Sequence, residues 1–458
     1  MSKNNTFLTN SVYFITPQVT GKIIAILTLP ILLAILDKST YGEIAFLLGI
    51  QQILFTIVSN GNRQTVLKFF SDASQESRSE IIRSSSMQSL FRCISFLILA
   101  LVVNILFELN YSSSLVVIIF LGILLMSFEA LYDSLMIATN LIETNSKSNI
   151  LKSVFSPILI VFFVFLNPQV EVYFIALCIT FGIKLTYSFL KVNINLQHGN
   201  NSINKKEVSQ YSANMMVLNS NQKISKWSDR ILLGLLISQE SLGEYHAVLQ
   251  LVLVLEFISN GFITTFKTHL FSSQKKNGGS NYKLFQDLVF LVFMLAIIGA
   301  TLRFNLGTAI LEEEYWGMLS YIPFLALSIF INTVFKLLSV VADKQTSFIN
   351  YKKISTLTVF ANIFLSLIGL YFFEIRGLIA AIIITYVLKL ILLYKDKNFL
   401  EKPKINIQKL FFWSFLFVNV EFVSYFIGNA GEVTLRWLFS LVGLFFAAEK
   451  YVNLKKYV

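Results

Sequence analysis

The chain has 458 residues, 55% hydrophobic and only 14% charged, with 44 Phe and a mean hydropathy of +0.68. That balance excludes a soluble domain and predicts an all-α polytopic membrane protein. The formal net charge of +11 raises nucleic acid as a partner, but the basic residues are scattered through short loops between apolar stretches rather than gathered in one patch, so none is expected.

The polar start, MSKNNTFLTNS, leads into a span too long for a signal-peptide core and is expected to stay attached. Fourteen candidate spans follow. The first six cover 10–36, 41–60, 86–107, 115–140, 150–166 and 170–192. The next six cover 213–237, 243–266, 284–302, 318–341, 354–372 and 377–394, and a last pair covers 410–428 and 433–448. Pro17 and Pro30 are expected to bend the first span. Cys93 and Cys178, the only cysteines, fall in apolar segments far apart, which supports neither a disulfide framework nor a zinc site.

Lys and Arg accumulate on the cytoplasmic side of membrane proteins. With the N-terminus inside, 26 of the 37 Lys and Arg lie in cytoplasmic segments and 4 in outer ones, so both termini are expected in the cytoplasm. The outer connections, such as DKST, NPQVE, SQESL and FEIR, are hardly longer than turns. They leave no folded outer domain, which disfavours a membrane glycan polymerase.

The chain repeats itself about 200 residues on. GEIAFLLGIQQILFTIVSNG from Gly42 corresponds to GEYHAVLQLVLVLEFISNG from Gly243, and Lys22 falls opposite Lys223 at the same offset. Six spans separate the copies, so the repeat is parallel. The expected organisation is two pseudo-symmetric six-helix bundles around a central cavity, 1–200 and 201–399, followed by an additional helix pair in 400–458.

One predicted span breaks the apolar rule. In MMVLNSNQKISKWSDRILLGLLI, Lys223, Lys226 and Arg230 recur at spacings of three and four and form one stripe on a helix. Val217, Ile224, Trp227, Ile231 and Leu235 fall on the other side. A charge at the bilayer centre costs about 2.5 to 3.5 kcal/mol on insertion scales, so the stripe is expected to face a watery cavity.

The run WSDRILLGLLISQESLGEYHAVLQLVLVLEFISNGFITTF, with TPQVTGKIIAILTLPILLAILDKSTYGEIAFL near the N-terminus, resembles the polysaccharide transporter branch of the multidrug/oligosaccharidyl-lipid/polysaccharide (MOP) exporter superfamily. Within it, the chain resembles O-antigen or capsule repeat-unit flippases. The resemblance implies a transporter, not an enzyme, in the bacterial inner membrane. It would move an undecaprenyl-diphosphate-linked oligosaccharide from the cytoplasmic to the outer leaflet by alternating access, with membrane lipid, glycan polymerase and chain-length machinery as further partners. Family members commonly have twelve spans, so the last pair is a departure.

The intramembrane charges divide by chemistry. Lys223, Lys226 and Arg230, with Lys22 from the first span, suit a diphosphate or an acidic glycan, because ammonium and guanidinium groups make charge-assisted bonds to phosphate oxygens. Alternatively, Arg230 pairs with Asp229 as bundle glue and Lys22 snorkels to the cytoplasmic edge. Glu129 and Asp133, four apart, either carry an exchanged proton or statically neutralise Lys184 or Lys22. Glu256 is a similar candidate that could pair with the stripe, Lys336 is expected to point inward, and Lys389 is expected to snorkel. No cofactor is implied beyond a coupled H+ or Na+.

Two other functions stay open. A multidrug or small-cation exporter of the same superfamily would favour an acidic or aromatic cavity, against the Lys and Arg here. A lipid II flippase recognises the same polyprenyl diphosphate and is poorly separated by sequence.

Overall fold

The computed structural model describes residues 3–59, 61–70, 74–108, 111–192, 205–272, 278–345 and 348–395. The elements are α1 Lys3–Ile35, α2 Lys38–Val58, α3 Asn62–Phe69, α4 Gln75–Leu106, α5 Ser113–Ala138, α6 Ile142–Leu166 and α7 Val170–Lys191. Then come α8 Lys205–Leu236, α9 Gln239–Ser272, α10 Gly278–Thr301, α11 Arg303–Ile310, a 3-10 helix Glu313–Tyr321, α12 Ile322–Gln345 and α13 Phe348–Lys395. All regular structure among the described residues is helical, and nine of the described helical stretches are long and apolar enough to cross a membrane. The chain is a multi-pass membrane protein. The expected pair at 410–428 and 433–448 lies outside the described residues.

Several helices outrun their expected spans. α4 starts at Gln75 rather than 86, α6 at Ile142 rather than 150, and α8 at Lys205 rather than 213. Their first turns are polar and carry no apolar signal, yet the helical hydrogen bonds continue through them. Local caps set several starts. Asp37 Oδ1 accepts from Thr40 N at 3.1 Å, Ser74 Oγ from Ser77 N at 3.4 Å and Ser112 Oγ from Leu115 N at 3.1 Å, satisfying donors that a helix start leaves open. α1 runs through Pro17 and Pro30 without a break in its helix.

The chain forms two compact units, Val12–Gly243 and Met1–Ser11 with Glu244–Val458. In the first, α5 packs against α2, α3, α4, α6 and α7. Val66, Phe70, Ile81, Leu131, Leu135 and Met136 make one buried cluster there. α8 lies along α2, where Gly49 leaves room for Ile231 and Trp227: a Cβ on Gly49 would stand 3.3 and 3.5 Å from them.

At the Lys38 end of α2 the backbones meet. A Cβ on Gly42 would lie 1.7 Å from the Gln239 carbonyl oxygen, and one on Gly243 would lie 2.1 Å from that of Lys38. Residues 38 and 42 correspond to 239 and 243 at the repeat offset, so the two copies touch reciprocally through their equivalent glycines. Only glycine permits that approach. Gly42→Ala is expected to push α2 off the first turn of α9 at a cost of about 1–3 kcal/mol. A lowered melting temperature of the detergent-solubilised protein would show it; an unchanged one would mean that the helices part freely.

In the second unit, α12 packs between α10 and α13. α13 is two expected spans, 354–372 and 377–394, joined at Glu374, whose φ of 52° and ψ of −136° leave helical geometry. A Cβ on Gly369 would stand 2.4 Å from the Gly377 carbonyl oxygen, so the chain reverses there as a hairpin. In a straight helix those residues would be about 12 Å apart.

Candidate functional site: a charged helix and two buried ion networks

The cations of α8 divide. Lys223 and Lys226 are half-buried, whereas Arg230 is 1% exposed. Lys223 Nζ donates to Gln52 Oε1 on α2 at 2.8 Å. Arg230 lies over the Trp227 ring at 4.0 Å, donates to the Lys226 carbonyl oxygen at 3.0 Å and stands 3.6 Å from Asp229 Oδ1. Asp229 Oδ1 also accepts from the Arg230 backbone N–H at 2.8 Å. These contacts tie Arg230 to its own helix, while the two lysines are less deeply buried. Lys22 is half-buried on α1, next to Gly21, where a Cβ would come within 2.8 Å of Ser153 on α6.

Between α5, α6 and α7 lies a second charged group. Lys184, on α7, is fully buried, and its Nζ donates to Glu129 Oε1 at 2.6 Å, Asp133 Oδ2 at 2.8 Å and Asn149 Oδ1 at 2.8 Å. Lys152, on α6, reaches the same Glu129 Oε1 at 2.7 Å and lies 4.6 Å over the Phe181 ring. Two ammonium and two carboxylate groups balance, as a low-dielectric site demands. Glu129 Oε2 and Asp133 Oδ1 are buried without a hydrogen bond to the described residues.

The second unit holds a smaller network. Lys336 on α12 donates to Glu256 Oε1 at 3.2 Å and Asn260 Oδ1 at 3.1 Å, both on α9. Glu256 thus has a cation partner within its own unit. Lys389 corrects the expectation of snorkelling: it is 5% exposed, with Nζ 4.6 Å over the Phe335 ring, because the packed faces of α12 and α13 enclose it. Glu256→Gln is expected to cost about 1–2 kcal/mol, since Lys336 keeps Asn260 and part of its solvent contact. Thermal unfolding of the purified variant checks this.

Sequence reasoning pairs Glu129 and Asp133 with Lys184 or Lys22, but misses Lys152, Asn149 and Gln52. Lys152, at the start of the span expected at 150–166, counts there among the cytoplasmic cations. The available signal was Asn145, Asn149 and Lys152, a polar series at spacings of four and three on one helical face.

Residues 7–266 match the family model described as polysaccharide biosynthesis protein. The chain belongs to that family. Among solved structures, this family member superposes on lipid II flippase MurJ in an inward closed conformation with a TM-score of 0.70 at 14% identity, covering 98% of this chain and 99% of that one. It is also similar to the MATE multidrug transporter DinF-BH, with a TM-score of 0.57 at 15% identity over 87% of this chain and 97% of that one. An inward-facing MATE family transporter of the MOP superfamily gives 0.59 at 9% identity over 81% and 93%. At these identities the likeness establishes the fold. A search of curated proteins finds no match.

Proposed function

We propose that the protein is a flippase that carries a polyprenyl-diphosphate-linked oligosaccharide, the repeat unit of a surface polysaccharide, across the bacterial inner membrane by alternating access. The observation that carries the reading is the pair Lys223 and Lys226, half-buried cations in the middle of α8, which packs along the membrane-crossing α2, in a polysaccharide biosynthesis family member. Ammonium groups in such a place suit the diphosphate that every lipid-linked repeat unit shares. Arg230 braces the same helix, and Lys22 is the corresponding cation of the other repeat copy.

The charge-balanced network of Glu129, Asp133, Lys184 and Lys152 supports a bracing role for these residues over that of a proton carrier. Coupling to H+ or Na+ and cytoplasmic placement of both termini belong to the same proposal. The basic bias of alternate connections supports the placement.

Deleting the gene in its host tests the whole reading, with surface glycan resolved by gel and lipid-linked oligosaccharide measured by mass spectrometry of membrane extracts. The expected result is loss of surface glycan with completed, unpolymerised repeat units held on the carrier lipid. Accumulated lipid II would transfer the reading to a lipid II flippase, as the similar MurJ structure is. An unchanged glycan and lipid pool would sink the flippase and turn attention to drug export.

A further inference from the structure

A cavity of about 260 Å³ opens at the end of the first unit far from Gly42, between α3, α4 and α8. Its floor is buried and polar: Asn62, Thr65, Ser85 and Ser212 are each under a tenth exposed. Ser84 and Gln88 form an exposed rim, hydrogen-bonded to each other at 3.2 Å. Eight of the ten lining residues are polar and none is Lys or Arg; Glu80 supplies the only charge. Asn62 is fixed in place by Nδ2 bonds to the Ser85 carbonyl oxygen at 3.1 Å and Ser89 Oγ at 2.9 Å.

A site so lined offers a phosphate no cation. Hydroxyl and amide side chains that both donate and accept suit a neutral molecule dense in hydroxyl groups.

The position of the cavity adds a second argument. Ser212 and Lys223 are eleven residues apart on α8, about three turns, so they lie within about 20° of one another around the helix and about 16 Å apart along it. The residue between them on that face, Asn219, exchanges hydrogen bonds with Gln64 of α3 at 3.2 and 3.4 Å. Lys223 then meets Gln52 of α2 at 2.8 Å. Polar residues thus recur along one face of α8 from the cavity to the lysine pair, with Met215 and Met216 between Ser212 and Asn219.

We infer that this cavity is a sugar-recognition subsite, which holds part of the oligosaccharide while the linked diphosphate lies at Lys223 and Lys226. The inference rests on the flippase reading and assigns to the first unit the selection of glycan-bearing over bare carrier lipid. Selectivity arises because only the glycan-bearing lipid brings hydroxyl groups that can exchange hydrogen bonds with the hydroxyl and amide groups of the cavity.

The test uses the full-length protein in detergent and two probes in native mass spectrometry: undecaprenyl diphosphate, and the same lipid carrying the oligosaccharide extracted from the host. Wild type should prefer the glycan-bearing lipid, and Ser84→Leu and Gln88→Leu, both on the exposed rim, should each reduce that preference by about tenfold with binding of the bare lipid unchanged. Lys226→Ala should weaken both probes alike. A preference that survives both rim variants, or that wild type lacks, overturns the sugar subsite and leaves the flippase standing. Failure of wild type to bind either lipid overturns both.

Discussion

Lys184→Met is expected to destabilise the protein by about 3–5 kcal/mol, the cost of breaking a buried ion pair by removing one partner. Lys184 is fully buried, and its ammonium group is shared by Glu129, Asp133 and Asn149. Without it, Lys152 alone faces two carboxylates, and Lys152 touches only Glu129. Asp133 would be left ionised in an apolar surround with no cation in contact. The measurement is the melting temperature of the purified variant, together with its level in the membrane. Adding Asp133→Asn to Lys184→Met removes the stranded charge and should recover much of the loss, a coupling that a double-mutant cycle quantifies. A Lys184→Met protein that melts like wild type would mean that water reaches the network and that it does not hold α5, α6 and α7 together.

The second large effect is on transport. Lys226→Ala, and more so the double change Lys223→Ala with Lys226→Ala, should reduce export of the surface glycan by at least about tenfold while the protein stays at normal levels in the membrane. The two lysines are half-buried, whereas Arg230 is 1% exposed, so truncating them is expected to disturb the packing less than truncating Arg230. One charge-assisted hydrogen bond to a phosphate oxygen contributes about 1.5–3 kcal/mol, enough for a tenfold loss or more. Arg230→Ala is a poor substitute for this test, because Arg230 is buried against Trp227 and its removal also damages the fold. Normal export by the double variant would remove the lysine pair from the substrate path.

Contrasting outcomes would separate the two networks. The α5–α7 group should move stability first, and transport only through it, whereas the α8 lysines should move transport at constant stability. The same purified variants serve both measurements.

Much of this protein was legible from residue order alone. Membrane character follows from composition. Helices cover the first twelve expected stretches, down to the break between 372 and 377 where α13 turns back at Glu374, although α8 is not among the described helices apolar enough to cross a membrane and α1 has only a shorter apolar stretch, Val19–Ile35. Gly42 and Gly243, matched in the expected repeat, are where α2 and the first turn of α9 come into backbone contact. These features depend on local properties: hydropathy, helical period and the need to satisfy the backbone inside lipid.

Side-chain partnership was not legible in the same way. Glu129, Asp133, Lys184, Glu256 and Lys336 are visible as anomalies within apolar helices, but which carboxylate meets which ammonium group depends on how helices far apart in sequence rotate against one another. Lys152 reads as a cytoplasmic cation at the end of its span until α6 is seen to begin at Ile142, and Lys389 reads as a snorkelling cation until α12 is seen to cover it. The polar contacts of α8 likewise exist only because α2 and α3 place Gln52 and Gln64 opposite Lys223 and Asn219. Local sequence sets where each helix runs and which of its residues are too polar for lipid. Packing alone decides which of those residues meet, because a rotation of one helix by a single residue, about 100°, would exchange every partner on its face.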